Sequence, residues 1–183
     1  MSKLLWLPLP SQEYLRECFD YDPKTGILTW RTRPSHHFKQ TVRNPHKIWN
    51  AQFPGREAGK TSTDGHRIVG IENRYYKVAR IVFKLMTGRE PHHIDHRDRN
   101  PLNNRWNNLR AATQNQNCAN TGVRSHNKIR LKGVYQLPGG TYRAKISINK
   151  KSIHLGCFPT AEEAHAAYLV AAQAQWGEFA SDH

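Results

Sequence analysis

HHIDHRDRNPLNNRWNNLRAATQNQNCAN, residues 92–120, decides how this chain is read. It crowds imidazole, carboxylate and carboxamide groups into a segment whose surroundings are basic. Hydrolysis of a phosphodiester needs a base to activate water, a hard cation on the phosphate and leaving oxygen, and neutralisation of developing charge. Each has a candidate here. His96 is the base, because a neutral imidazole is available near pH 7. Asp95 and Asn117 offer the oxygen ligands that Mg2+ prefers, and a hard cation needs few protein ligands when phosphate and water complete its shell. Thr113 with Gln116 has the form of a capping box, which places Asn117 in the first turn of a short helix.

Any one of His92, His93 and His96 alone reads as a surface histidine on a basic loop. Asp95-His96 together with Asn108 and Asn117 at these separations is far more specific. Adjacent residues of a regular strand point to opposite faces, so a site shared by Asp95 and His96 requires the chain to leave regular extension there. His93 is expected to be peripheral, and Asp98 reads as a solvated charge in preference to a supporting partner of the site.

Upstream, Ser11 is placed to cap a short helix over 11–19, with Tyr14, Leu15 and Cys18 on one side. YDPKTG, 21–26, is a strong turn former between Phe19 and the alternating run 27–30, and predicts a hairpin. Residues 33–59 mix Pro, His, Asn and Lys without a period and read as a long loop that contacts DNA. A second hairpin is expected over 67–78 with its turn at Glu72-Asn73-Arg74. A core helix follows over 78–86, stopped by Gly88.

Downstream, 121–131 is polar, basic and aperiodic, as a linker should be. Residues 134–137, 142–148 and 151–155 read as three strands joined by Pro-Gly-Gly and Asn-Lys-Lys turns. Thr160 with Glu163 opens an Ala-rich helix to about Trp176, with Ala164, Ala167, Tyr168 and Ala171 on one face. In the middle strand Tyr142, Ala144, Ile146 and Ile148 share the face that should be buried. Arg143, Lys145 and Ser147 share the other.

Lys and Arg number 28 against 14 Asp and Glu, a formal net charge of +14 in 183 residues. Such a surface seeks a polyanion. After Asp98 no acidic residue appears until Glu162, while Arg99, Arg105, Arg110, Arg124, Lys128, Arg130, Lys132, Arg143, Lys145, Lys150 and Lys151 lie between them. No apolar run approaches the roughly 20 residues that span a bilayer, and the start MSKLLWLPLPS is too short and Pro-broken for a secretory signal. A soluble protein of the cytoplasm is expected, that of a bacterial host if the gene is phage-borne. The scattered cysteines Cys18, Cys118 and Cys157 form no CxxC pair, which indicates neither a disulfide framework, a disulfide-linked partner nor a structural zinc.

Asp95-His96, Asn103-Asn104, Asn108-Leu109-Arg110, Thr113 and Gln116-Asn117 stand at the spacings of the HNH endonucleases, and the segment resembles their phage and intron-encoded homing type. YDPKTGILTW, EAGKTSTDGHRIVGI, YYKVARIVF and TGREP extend the resemblance over about residues 12–120. It implies a ββα-metal finger in which His96 is the general base and Asp95 and Asn117 hold one divalent cation, Mg2+ or Mn2+. Asn108 would hydrogen-bond backbone across the finger and keep His96 oriented. Arg97 and Arg110 would contact DNA. The chain departs from many such relatives at Ala79, where they carry His.

Residues 132–180, from Lys132-Gly133-Val134 to Trp176-Gly177-Glu178-Phe179-Ala180, resemble the Apetala-type DNA-binding domain of ethylene-response factors. That resemblance implies a sheet seated in the major groove, with Lys132, Gln136, Arg143, Lys145 and Lys151 on the DNA side and Arg143 reading a base edge. Its plant members have Trp where this chain has Tyr142.

The sequence thus predicts an α+β chain. A ββα-metal HNH finger with N-terminal hairpins is followed by a three-stranded antiparallel sheet packed on one helix. The domains are 1–120, with the finger at about 66–120, a linker 121–131, and 132–183. The function expected is site-directed cleavage of double-stranded DNA by a monomer, which with one finger makes a nick. A DNA-binding regulator with a degenerate finger, and a nucleoid or RNA-associated protein, are the other classes. DNA binding should weaken steeply with salt, each phosphate contact adding about 0.9 to the log-log slope. A flat response in a salt titration of binding contradicts the basic stretch as the DNA face.

Overall fold

The computed structural model describes residues 7–39, 41, 43–123 and 127–181. Of the sequence expectations, those on 1–6, on Arg124, on linker residues 124–126 and on 182–183 lie outside the described residues. The chain forms two compact units, Met1–Ala111 and Ala112–His183. The division falls earlier in the chain than the expected boundary at 120.

In the first unit, Ser11 Oγ accepts the N–H of Tyr14 and caps α1 (Gln12–Cys18) as its sequence suggests. β1 (Phe19–Tyr21) and β2 (Leu28–Trp30) pair antiparallel. Asp22 builds their turn, its carboxylate accepting from Lys24 N and Thr25 Oγ1.

The expected loop over 33–59 contains a helix, α2 (Pro45–Gln52), with Pro at its first turn. What orders this segment is a cation. Arg33 is only 8% exposed, and its guanidinium lies 4.8 Å from the ring of Phe38, 5.1 Å from Trp49 and 5.9 Å from both Tyr14 and Trp30. Trp49 also stacks on Phe53 at 5.0 Å, one helical turn on. Cation and aromatic contacts of this kind leave no apolar period to read.

β3 (Lys60–Thr61), β4 (Arg67–Ile71) and β5 (Arg74–Lys77) form one antiparallel sheet in that order. Glu72 and Asn73 both take positive φ, so the turn has two residues, and Arg74, expected in it, begins β5. α3 (Val78–Thr87) ends at Gly88, whose φ is +70°. Its Val78, Ile81 and Val82 share the core with Leu15, Leu28, Val69 and Ile71, and Ala79 is buried among them. β6 (His93–His96) pairs with β7 (Leu109–Ala112).

The first hairpin braces the loop between β6 and β7. Tyr21 donates its hydroxyl to Asn104 O at 2.7 Å, and Trp106 N–H reaches Pro23 O at 3.1 Å. Gly26 sits so close that a Cβ there would lie 2.5 Å from Arg105 N.

In the second unit, α4 (Gln114–Ala119) carries the complete capping box of Thr113 and Gln116. β8 (Val134–Gln136), β9 (Tyr142–Ile148) and β10 (Lys151–Phe158) pair antiparallel in the order β10-β9-β8. β10 runs beyond its expected end at Leu155 by bulging between His154 and Gly156. α5 (Ala161–Trp176), capped by Thr160, covers the sheet. Ala144 and Ile146 of β9 are buried with Ala164, Tyr168 and Ala172 of α5, the faces their alternation predicts.

Gly26→Ala places a side chain at φ +79° against the Arg105 backbone. The expected cost is roughly 1–3 kcal/mol in denaturant unfolding, and wild-type stability in that variant contradicts the close packing of hairpin on loop.

Candidate functional site

β6 stays extended through His96, so the chain does not leave regular extension at Asp95 and His96 as the sequence reading required. The pleat sends the two side chains to different partners, although both are buried. Asp95 meets Arg110 of β7, whose Nε and Nη2 both reach Oδ2 at 2.7 Å. The two side chains are 4% and 8% exposed, so Arg110, expected on DNA, is a buried counter-ion here.

His96 Nε2 lies 3.2 Å from Asn104 Oδ1. Asn104 Nδ2 points at Leu102 O, 3.4 Å away, which fixes the amide so that its oxygen accepts from the imidazole. In that tautomer His96 carries its proton on Nε2 and its lone pair on Nδ1. Burial lowers its pKa, and His66 lowers it further, against the opposite pull of the Asn104 contact. The imidazole is therefore neutral near pH 7.

Asn108 closes the loop that presents Asn104. Its Oδ1 accepts from Asp98 N at 3.0 Å, and its Nδ2 donates to Asp98 Oδ1 at 2.9 Å and to Asn103 O at 2.8 Å. Its own carbonyl accepts from Arg97 N at 2.9 Å. Asn108 thus binds the loop, and the direct contact to His96 comes from Asn104. Asp98 is not the merely solvated charge expected. Besides Asn108 it accepts from Asn103 Nδ2 at 2.6 Å and Asn100 N at 2.8 Å. Burial opposes its ionisation, but these donors hold its pKa below the usual carboxylate range. Arg97 is exposed and His93 half-buried.

A hard divalent cation fits the donor chemistry of Asp95, a carboxylate whose negative charge is exposed to little water. Because Arg110 already holds Oδ2, a cation bound there shares the carboxylate with the guanidinium. Among the described residues, Glu17, His36 and His37 also converge closely enough to hold a metal. Arg33 Nε donates to His37 Nδ1 at 3.3 Å, which leaves the ring proton on Nε2, 2.7 Å from Glu17 Oε2. That group is a hydrogen-bonded relay, and metal uptake would require Arg33 to release the ring. Cys18, Cys118 and Cys157 are free thiols.

In the second unit Asn117 is half-buried on α4. Lys132, expected on DNA, turns its ammonium to the carbonyls of Ala119 and Thr121, at the end of that helix. Lys145 Nζ lies 4.3 Å from the Tyr135 ring and Arg143 5.8 Å from it. Gln136 and Lys151 are exposed.

The sequence carries no signal for the contact of Asn104 with His96, nor for His66 as a site residue. Asn104 was noted only beside Asn103 in the family resemblance, with no role of its own, and His66 lies in a turn remote in sequence from the cluster, 6.4 Å from His96 between ring centroids. No spacing rule connects 66 with 96.

Residues 76–119 match the sequence model of an HNH endonuclease family, a segment that includes Asp95, His96, Asn104, Asn108 and Asn117. The chain is also 36% identical over 89 residues to an uncharacterized HNH endonuclease of Acanthamoeba polyphaga mimivirus, across 49% of this chain and 46% of the relative. The chain thus spans about half the length of the curated relative it matches. No solved structure matches it. The fold is α+β, its residues 76–119 are similar to the HNH endonucleases, and that family suggests nuclease activity. No helix among the described residues is long and apolar enough to cross a membrane.

Removing Arg110 leaves the Asp95 carboxylate buried without its counter-ion. Arg110→Ala should cost about 3–5 kcal/mol in unfolding free energy, and a loss below about 1 kcal/mol contradicts the burial of the pair.

Proposed function

We propose that this chain is a metal-dependent endonuclease that nicks double-stranded DNA, with His96 as general base. The observation that carries this reading is the buried His96 imidazole, held through Nε2 by Asn104 inside the segment that matches the HNH family. His96 takes a proton from water through Nδ1, and the oxygen so activated attacks phosphorus. Asp95 and Asn117 are assigned as protein ligands of one divalent cation, Mg2+ or Mn2+, on the strength of the family match that includes both, although β6 is regular at Asp95-His96 and turns the two side chains to different partners. Such a cation supplies charge neutralisation at the phosphate and leaving oxygen. Asn108 supports this arrangement through the loop that it closes.

The second unit is proposed as an Apetala-type module that adds affinity and places the cut. Its sheet and helix order supports this, as does Arg143, whose Nε is buried without a hydrogen-bond partner among the described residues. The homing character and the cytoplasm as compartment belong to the same proposal. Binding without cutting is the second reading, favoured by the hold of Arg110 on the Asp95 carboxylate.

A supercoiled-plasmid assay decides between them. The wild-type chain should give nicked circles with Mg2+ or Mn2+ and none with EDTA. His96→Ala should be slower by about 10²–10⁴-fold, and Asp95→Asn should need more metal. Wild-type protein that binds the plasmid but cuts under no metal or salt condition leaves the regulator reading standing.

A further inference from the structure

Beside His96 stands a second imidazole. His66 Nδ1 lies 3.2 Å from Asp64 Oδ2 and 3.2 Å from Asp64 O. Its ring proton therefore sits on Nδ1, and the lone pair is on Nε2, which has no hydrogen-bond partner among the described residues. Asp64 is itself fixed, by Ser62 Oγ and by Lys77 Nζ of β5 at 3.3 Å. The single Ser62 hydroxyl proton is shared between Asp64 Oδ1 and His66 O, the latter at 2.9 Å. The His66 side chain is 30% exposed, enough to meet a solute. Burial, then Lys77, lowers its pKa against the pull of Asp64, so the ring is neutral.

The separation of the two rings has a chemical meaning. A water held between two imidazole nitrogens by hydrogen bonds of about 2.8 Å keeps the nitrogens roughly 4–5 Å apart and the ring centroids roughly 6–7 Å apart. The centroids of His66 and His96 are 6.4 Å apart, with the rings at 67°. A histidine with no role beyond the turn needs neither this distance nor a carboxylate braced by two further groups.

We propose that His66, oriented by Asp64, is a second catalytic imidazole that holds the attacking water through Nε2 while His96 deprotonates it. This rests on the nuclease reading of the same site. One proton of the water passes to His96, and the other stays on oxygen and is donated to His66. The new O–P bond forms as the P–O bond to the leaving strand breaks, and the leaving oxygen takes a proton from solvent. His66 gains and loses no proton, so its contribution is orientation of the nucleophile.

Single-turnover nicking and DNA binding by the full chain test this. His66→Ala should cleave about 10²-fold more slowly with unchanged DNA affinity and unchanged unfolding midpoint. Free imidazole should restore part of the rate to His66→Gly, which a role in folding would not allow. Asp64→Asn should lose less, about 10-fold. A wild-type rate in His66→Ala, or a loss confined to DNA affinity, overturns the proposal while an inactive His96→Ala keeps the nuclease reading. A wild-type chain as inactive as His96→Ala removes that reading and this one with it.

Discussion

The carboxamide of Asn108 is the constraint on which the site rests. Buried between β6 and β7, it satisfies a backbone N–H, a backbone carbonyl and a carboxylate at once, and so converts the intervening loop into one shape. That shape places Asn104 under His96. The first hairpin reinforces it from outside through Tyr21 and the close approach of Gly26. The apolar core of the first unit, gathered on α1, α3 and β4, serves to hold these braces in place.

Much of this was legible in the sequence wherever apolar residues alternate or recur at helical spacing. Val78, Ile81 and Val82 announced α3, and Ala144 and Ile146 announced the buried face of β9. Local turn and cap chemistry was legible too, in Ser11, Thr113, Thr160 and the Asp22 turn. What escaped was held by polar contacts between residues distant in sequence. α2 forms around the buried Arg33 and its aromatic neighbours, a pattern with no period. Asn104 and His66 gain their meaning only from the fold that brings them to His96. The adjacency of Asp95 and His96, read as a reason for irregular backbone, is met instead by giving each side of one strand its own partner.

Asp95 is pulled in two directions. Its burial demands a counter-ion, and Arg110 supplies one on the neighbouring strand. A metal ligand demands an available oxygen. In the proposed function, a carboxylate shared between guanidinium and cation would bind the cation less tightly than a lone carboxylate, and phosphate oxygens would complete its shell. In the second unit, Lys132 and the Thr113 capping box fix both ends of α4, the helix that bears Asn117.

A general base at His96 must be a neutral imidazole whose Nε2 proton is donated to Asn104. Long-range proton–nitrogen NMR of the histidine rings measures this directly. At pH 7 His96 should show a protonated Nε2 and an unprotonated Nδ1, and Asn104→Ala should abolish the single tautomer. An imidazolium, or a ring protonated on Nδ1 alone, contradicts His96 as the base.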